Sequence, residues 1–121
     1  MTVYALDHLQ LAIPAGGEND ARRFYVEALG LEEIPKPPHL AKRGGLWLRL
    51  GETQLHLGVE NDFRAAKKAH PALLVLDLPA LISKLGGFGY QIVRDQPLDG
   101  YDRVYTSDPF GNRIELMEKS S

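Results

Sequence analysis

The chain has 121 residues, 44% of them hydrophobic and 25% charged, with a formal net charge of -2, proportions that fit one globular domain. It contains no cysteine, which excludes disulfides, thiolate ligands and cysteine nucleophiles, so a metal site would have to use nitrogen and oxygen donors. Basic residues form only small clusters, such as Lys42-Arg43 and Arg64 with Lys67 and Lys68, which read as solvated surface and exclude the electrostatic footprint of a nucleic-acid binder.

Residues 7 to 13 alternate strictly, with Leu9, Leu11 and Ile13 on one face and His8, Gln10 and Ala12 on the other, the pattern of a half-buried strand. Pro14 and Gly16-Gly17 end it, and Asn19 or Asp20 is expected to cap a helix running to about Leu29 with Phe24, Ala28 and Leu29 as its apolar stripe. Gly30 closes that helix. A short strand over 31–34 and a proline-rich loop over 35–43 lead into a strand over 45–50, where Leu46, Leu48 and Leu50 oppose Trp47 and Arg49. After a Gly51-Glu52 turn, the strand over 53–59 sets Leu55, Leu57 and Val59 against Gln54, His56 and Gly58.

Residues 60–69 are polar and alanine-rich and read as a linker with at most a helical turn. Beyond it the order repeats: a strand over 70–76, a helix over 79–85 closed by Gly86-Gly87, and strands over 90–94, 103–107 and 113–118, the last two joined by the turn Asp108-Pro109-Phe110-Gly111-Asn112. The longest aliphatic run, Ala72 to Leu76, falls far short of the roughly 20 apolar residues of a membrane helix. With no signal-peptide pattern at the start, a cytoplasmic protein with no membrane partner is expected.

The two halves can be aligned. His8 and His70, each opening the first strand of its half, are 62 residues apart, and His56 and Glu115, midway along the last strands, are 59 apart. Three of the four histidines thus fall on equivalent strand positions and a carboxylate takes the fourth, while His39 lies in the proline-rich loop. A lone strand histidine is usually a surface or hydrogen-bonded residue, and Glu115 beside Arg113 and Glu118 would ordinarily be solvated. Their recurrence at duplicated positions instead makes His8, His56, His70 and Glu115 the expected ligands of one divalent ion: Zn, Ni, Mn, Fe or Co. Three nitrogens and one oxygen leave coordination positions open for Lewis-acid chemistry.

The segments Asp7-His8-Leu9-Gln10-Leu11-Ala12-Ile13, Arg23-Phe24-Tyr25 with Leu29-Gly30-Leu31, His70 to Val75, and Asp108-Pro109-Phe110-Gly111-Asn112-Arg113-Ile114-Glu115-Leu116 resemble the vicinal oxygen chelate superfamily, which includes glyoxalase I, fosfomycin and bleomycin resistance proteins and extradiol dioxygenases. The resemblance implies an α+β fold with two βαβββ modules forming an open, U-shaped mixed sheet around a metal. It places one domain over 4–119, with modules at about 4–60 and 69–119, often within a homodimer. His8, His70 and Glu115 match the three ligands many metal-binding members share. At His56, glyoxalase I has a glutamate, and a metal-bound imidazole cannot replace that carboxylate as a free base, which argues against glyoxalase activity. Tyr105 matches a tyrosine in the pocket of fosfomycin resistance proteins.

The expected function is a metal-dependent lyase, isomerase or dioxygenase acting on a small oxygen-bearing metabolite, with Glu115 as ligand and catalytic proton carrier. Gln10, Trp47, Arg49, Gln54, Arg103 and Tyr105 are the expected substrate contacts: the tryptophan by stacking, the glutamines by hydrogen bonds, either arginine by pairing with a carboxylate or phosphate. The alternatives are a ligand-sequestering protein resembling the bleomycin resistance proteins, without catalysis, and a duplicated scaffold with a structural metal.

Overall fold

The structure, a computed structural model, describes residues 2–120, which divide into two compact units, one through Arg64 and one from Ala65. Each is built on its own sheet, and both sheets mix parallel and antiparallel pairs, as expected of the α+β class.

In the first unit, β1 (His8–Ile13) leads into a helix that is α-helical over Glu18–Ala21 (α1) and π-helical over Arg22–Ala28. Its N-cap is Gly17, with no side-chain cap, so neither Asn19 nor Asp20 plays the expected part. The wider turn is registered by the Leu29 amide, which donates to the Phe24 carbonyl five residues back. It still buries Ala21, Phe24, Tyr25 and Ala28. Strands β2 (Glu32–Ile34), β3 (Leu46–Leu50) and β4 (Thr53–Val59) follow, and a 3-10 helix over Pro38–Arg43 occupies the loop before β3. The order is β1-β4-β3-β2, with β1 and β4 parallel. Leu11, Ile13, Leu46, Leu48, Leu55 and Leu57 form the core face as the alternation requires.

In the second unit the order is β5-β7-β6, from β5 (Ala72–Leu74), β6 (Tyr101–Ser107) and β7 (Arg113–Lys119). Helix α2 (Leu78–Phe88) has Asp77 as N-cap, accepting from the Ala80 amide. Three expectations need correction here. The helix runs through Gly86-Gly87 and stops at Gly89, whose φ of +90° makes the left-handed cap. The strand expected over 90–94 is reduced to a single bridge between Val93 and Tyr105, because the Gln91 carbonyl accepts instead from Thr106 Oγ1. The strand expected from His70 begins at Ala72, since Pro71 has no amide to donate and contributes only its carbonyl, to the Glu115 amide.

The 60–69 segment contains no helical turn. Its part from Ala65 onward is held by the Asp108–Asn112 turn. The buried Asp108 carboxylate accepts from the amides of Phe110 and Asn112 and from the Asn112 side chain. Asn112 in turn accepts from the Ala66 amide.

Candidate functional site

The strand registers of the two units match. In the first, His56 faces Gln10, two residues after His8; in the second, Glu115 faces Ala72, two residues after His70. Across the antiparallel pair, His56 faces Trp47 and Glu115 faces Tyr105. The equivalence inferred from sequence spacing therefore holds at the level of backbone pairing.

Three rings stand in a row in the first unit because β4 lies between β1 and β3. The His56 ring stacks on Trp47, with centroids 4.2 Å apart and planes 5° apart. Its other face meets His8, at 4.3 Å and 20°. His56 Nε2 donates to Gln54 Oε1 at 2.8 Å, and His8 Nδ1 lies 2.9 Å from Asp7 Oδ2. Burial is the main cause that lowers the His56 pKa, followed by the neighbouring His8, a shift that favours the neutral imidazole. These side chains line a cavity of about 560 Å³ together with Gln10, Lys36 and Arg43.

The second unit concentrates charge instead. Glu115, 6% exposed, has one carboxylate oxygen 3.0 Å from His70 Nε2, and the other accepts from Arg103 Nη1 at 3.1 Å. Burial alone would raise its pKa, but the bonds from His70 and Arg103 outweigh that and hold it below the usual carboxylate range. Arg103 also donates to the Tyr105 hydroxyl and to the Gln96 carbonyl. The Arg113 guanidinium lies 3.8 Å from the Tyr105 ring centroid. His70 Nδ1 is held by the Lys68 carbonyl at 2.8 Å, the kind of bond that fixes a ligating histidine's tautomer.

Of the expected residues, His8, Gln10, Trp47, Gln54 and His56 gather around the first unit's cavity, and His70, Arg103, Tyr105 and Glu115 cluster in the second. Arg49 does not join them: it pairs with Glu32 at 2.9 Å and is not part of the cavity wall. Sequence reasoning missed Asp7, Lys36 and Arg43. Asp7 was visible as a carboxylate next to the key histidine, and the two cations lie within the proline-rich segment, Lys36 just before its 3-10 helix and Arg43 as the last residue of that helix.

A family model described as the Glyoxalase/Bleomycin resistance protein/Dioxygenase superfamily matches residues 5–116. The chain belongs to this superfamily. The crystal structure of a glyoxalase family protein from Bacillus anthracis is 46% identical, covers 99% of this chain and 98% of its own, and superposes with a TM-score of 0.94. Two more distant structures share the fold. The lactoylglutathione lyase from Agrobacterium tumefaciens is 19% identical at a TM-score of 0.74, covering 98% of this chain and 96% of that one. A fosfomycin resistance protein from Mesorhizobium loti is 12% identical at 0.73, with 98% and 95% covered. No curated protein matches. Members of the glyoxalase superfamily typically use a divalent metal and bind small-molecule substrates.

The donors of each unit can be tested against such an ion. His70 and Glu115 fit: an imidazole nitrogen and a carboxylate oxygen lie side by side, both restrained from behind. His8, with a side chain 44% exposed, is accessible at the cavity wall. Among the described residues, no three His, Asp or Glu side chains lie together as a ligand cluster.

Proposed function

We propose that this protein is a divalent-metal-dependent enzyme of lyase, isomerase or dioxygenase type acting on a small oxygen-bearing metabolite. His8, His70 and Glu115 are its proposed core ligands. The observation that carries this reading is the His70–Glu115 pair, an imidazole and an ionised carboxylate held 3.0 Å apart at positions duplicated in the other half of the chain. A bound ion supplies Lewis-acid stabilisation of negative charge developing on the substrate.

The chain's own residues support that chemistry in definite ways. His70 and Arg103 together favour the ionised form of Glu115; Arg103 fixes one of its oxygens, and the other, facing His70 Nε2, would bind the ion or carry a proton. Trp47, Gln10 and Gln54 shape the cavity that takes the substrate, and Tyr105 presents a hydroxyl already oriented by Arg103. A homodimer in the cytoplasm is part of the proposal.

Purified protein is expected to hold about one divalent ion per chain by elemental analysis, and His70→Ala combined with Glu115→Gln is expected to remove it. A metal-free protein that cannot be loaded with Zn, Ni, Mn, Fe or Co would overturn the reading. The second reading, sequestration of a ligand without catalysis, is favoured by the aromatic wall that Trp47 gives the cavity; binding without turnover across a screen of small oxygenated metabolites would select it.

A further inference from the structure

His56 occupies the position of a fourth ligand, yet its surroundings give it another role. An imidazole coordinates through an in-plane lone pair, so the ion lies close to the ring plane, about 2 Å from the nitrogen. Two imidazoles sharing an ion must therefore have planes that meet at the ion. The His8 and His56 rings are stacked, and planes inclined at 20° with centroids 4.3 Å apart intersect only on the order of 10 Å from the rings, well beyond a bond of about 2 Å.

Neither ring turns without cost. Trp47 covers the far face of His56 at 4.2 Å and 5°, and Gln54 Oε1 engages Nε2, so rotating His56 breaks a stack and a hydrogen bond in a residue only 6% exposed. Apart from that stack, His8 is held among the described residues by one hydrogen bond, to Asp7, which is itself exposed. The asymmetry identifies His8 as the ring available to an ion and His56 as the ring that supports it.

We propose that His56 stays outside the coordination sphere, and that it is a positioning residue, the middle ring of a Trp47–His56–His8 stack that sets the plane of the ligand His8. This rests on the metal reading above and deepens it. The protein donors proposed for the ion would then be His8, His70 and Glu115, without His56. The Nδ1 of His56 has no hydrogen-bond partner among the described residues and remains an acceptor for a substrate hydroxyl.

The test is calorimetric titration of Zn²⁺ and Co²⁺ into metal-stripped full-length protein, with folding checked by circular dichroism. His8→Ala should weaken binding by more than 100-fold. His56→Phe, which keeps a ring in the stack but has no donor, should stay within about threefold of wild type. His56→Ala, which opens the stack, should lose about tenfold, the scale of an outer-shell support. Rescue by phenylalanine marks positioning; a loss for His56→Phe matching that of His8→Ala would overturn the inference. Wild-type protein loaded with ¹¹³Cd supplies an independent measure: ¹¹³Cd–¹⁵N coupling should appear at His8 and His70 and be absent at His56, and coupling at His56 would overturn the inference without any variant. If wild type binds no ion, the metal reading falls and this inference with it; if wild type binds but His56→Phe does not, only this inference falls.

Discussion

Single side chains show where strand alternation is informative. It assigned His8, Gln10, Trp47, Gln54, His56 and Glu115 to faces opposite the leucines, because a period of two fixes which side of a sheet each residue meets. It could not supply ring planes or cross-strand partners. Arg49 was placed on the correct face, but its guanidinium is taken by Glu32, a pairing set by the β2–β3 register. Glu18 is another such case, invisible in the sequence because its partner is 27 residues away: its carboxylate accepts from the Gly45 amide at 2.9 Å. That backbone bond is the main cause lowering its pKa below 4.5. A depressed folded-state pKa means the stabilisation is complete above the unfolded value and is lost as pH falls through the folded one. Glu18→Gln, whose amide oxygen can still accept but without the charge, is therefore expected to cost about 1 kcal/mol at pH 7, roughly the difference between a charged and a neutral acceptor. The gap from wild type should close in acid, as followed by urea denaturation at a series of pH values.

At the level of elements, the strands were legible wherever one face is apolar, and the terminators were not. Gly86-Gly87 looked like a helix end, but this helix ends on a residue in the left-handed region, and that residue is Gly89. The π-helical stretch over Arg22–Ala28 is equally silent in the sequence, since its apolar spacing also fits an α-helix. Two glycines that begin or end elements separate conformational cost from steric cost. At Gly89 an added Cβ meets nothing within 4 Å, whereas at Gly45, with φ of +81°, it would lie 2.0 Å from the Leu57 carbonyl oxygen. Gly89→Ala should cost about 1 kcal/mol from the left-handed backbone alone. Gly45→Ala should cost roughly twice to three times that, because backbone of β3 and β4 must separate. Equal midpoints in urea would contradict this account.

Across the whole chain, the duplication was the most legible feature, and the unequal use of its two copies the least. One copy carries a ring stack around a cavity, the other a buried carboxylate between an imidazole and a guanidinium. Spacing alone implied four equivalent ligands; the registers confirm equivalent positions, while the side chains at those positions differ in what holds them. Both copies also place the strand made last in the middle of the sheet, β4 between β1 and β3 and β7 between β5 and β6. Ending the chain before Arg113 should therefore abolish the second sheet entirely, leaving β5 and β6 without their shared partner, and amide exchange should show residues 65–112 unprotected.

During synthesis, that arrangement imposes a schedule. A nascent first unit cannot close until the ribosome has delivered residues 53–59, and a nascent second unit waits for residues 113–119. Until its keystone emerges, the first half can form only the β2–β3 pair, and the second leaves β5 and β6 as unpaired edges. Slowed translation once β4 has cleared the ribosome would give that closing strand time to insert, whereas a pause while it is still inside would hold sticky edges open to neighbouring chains.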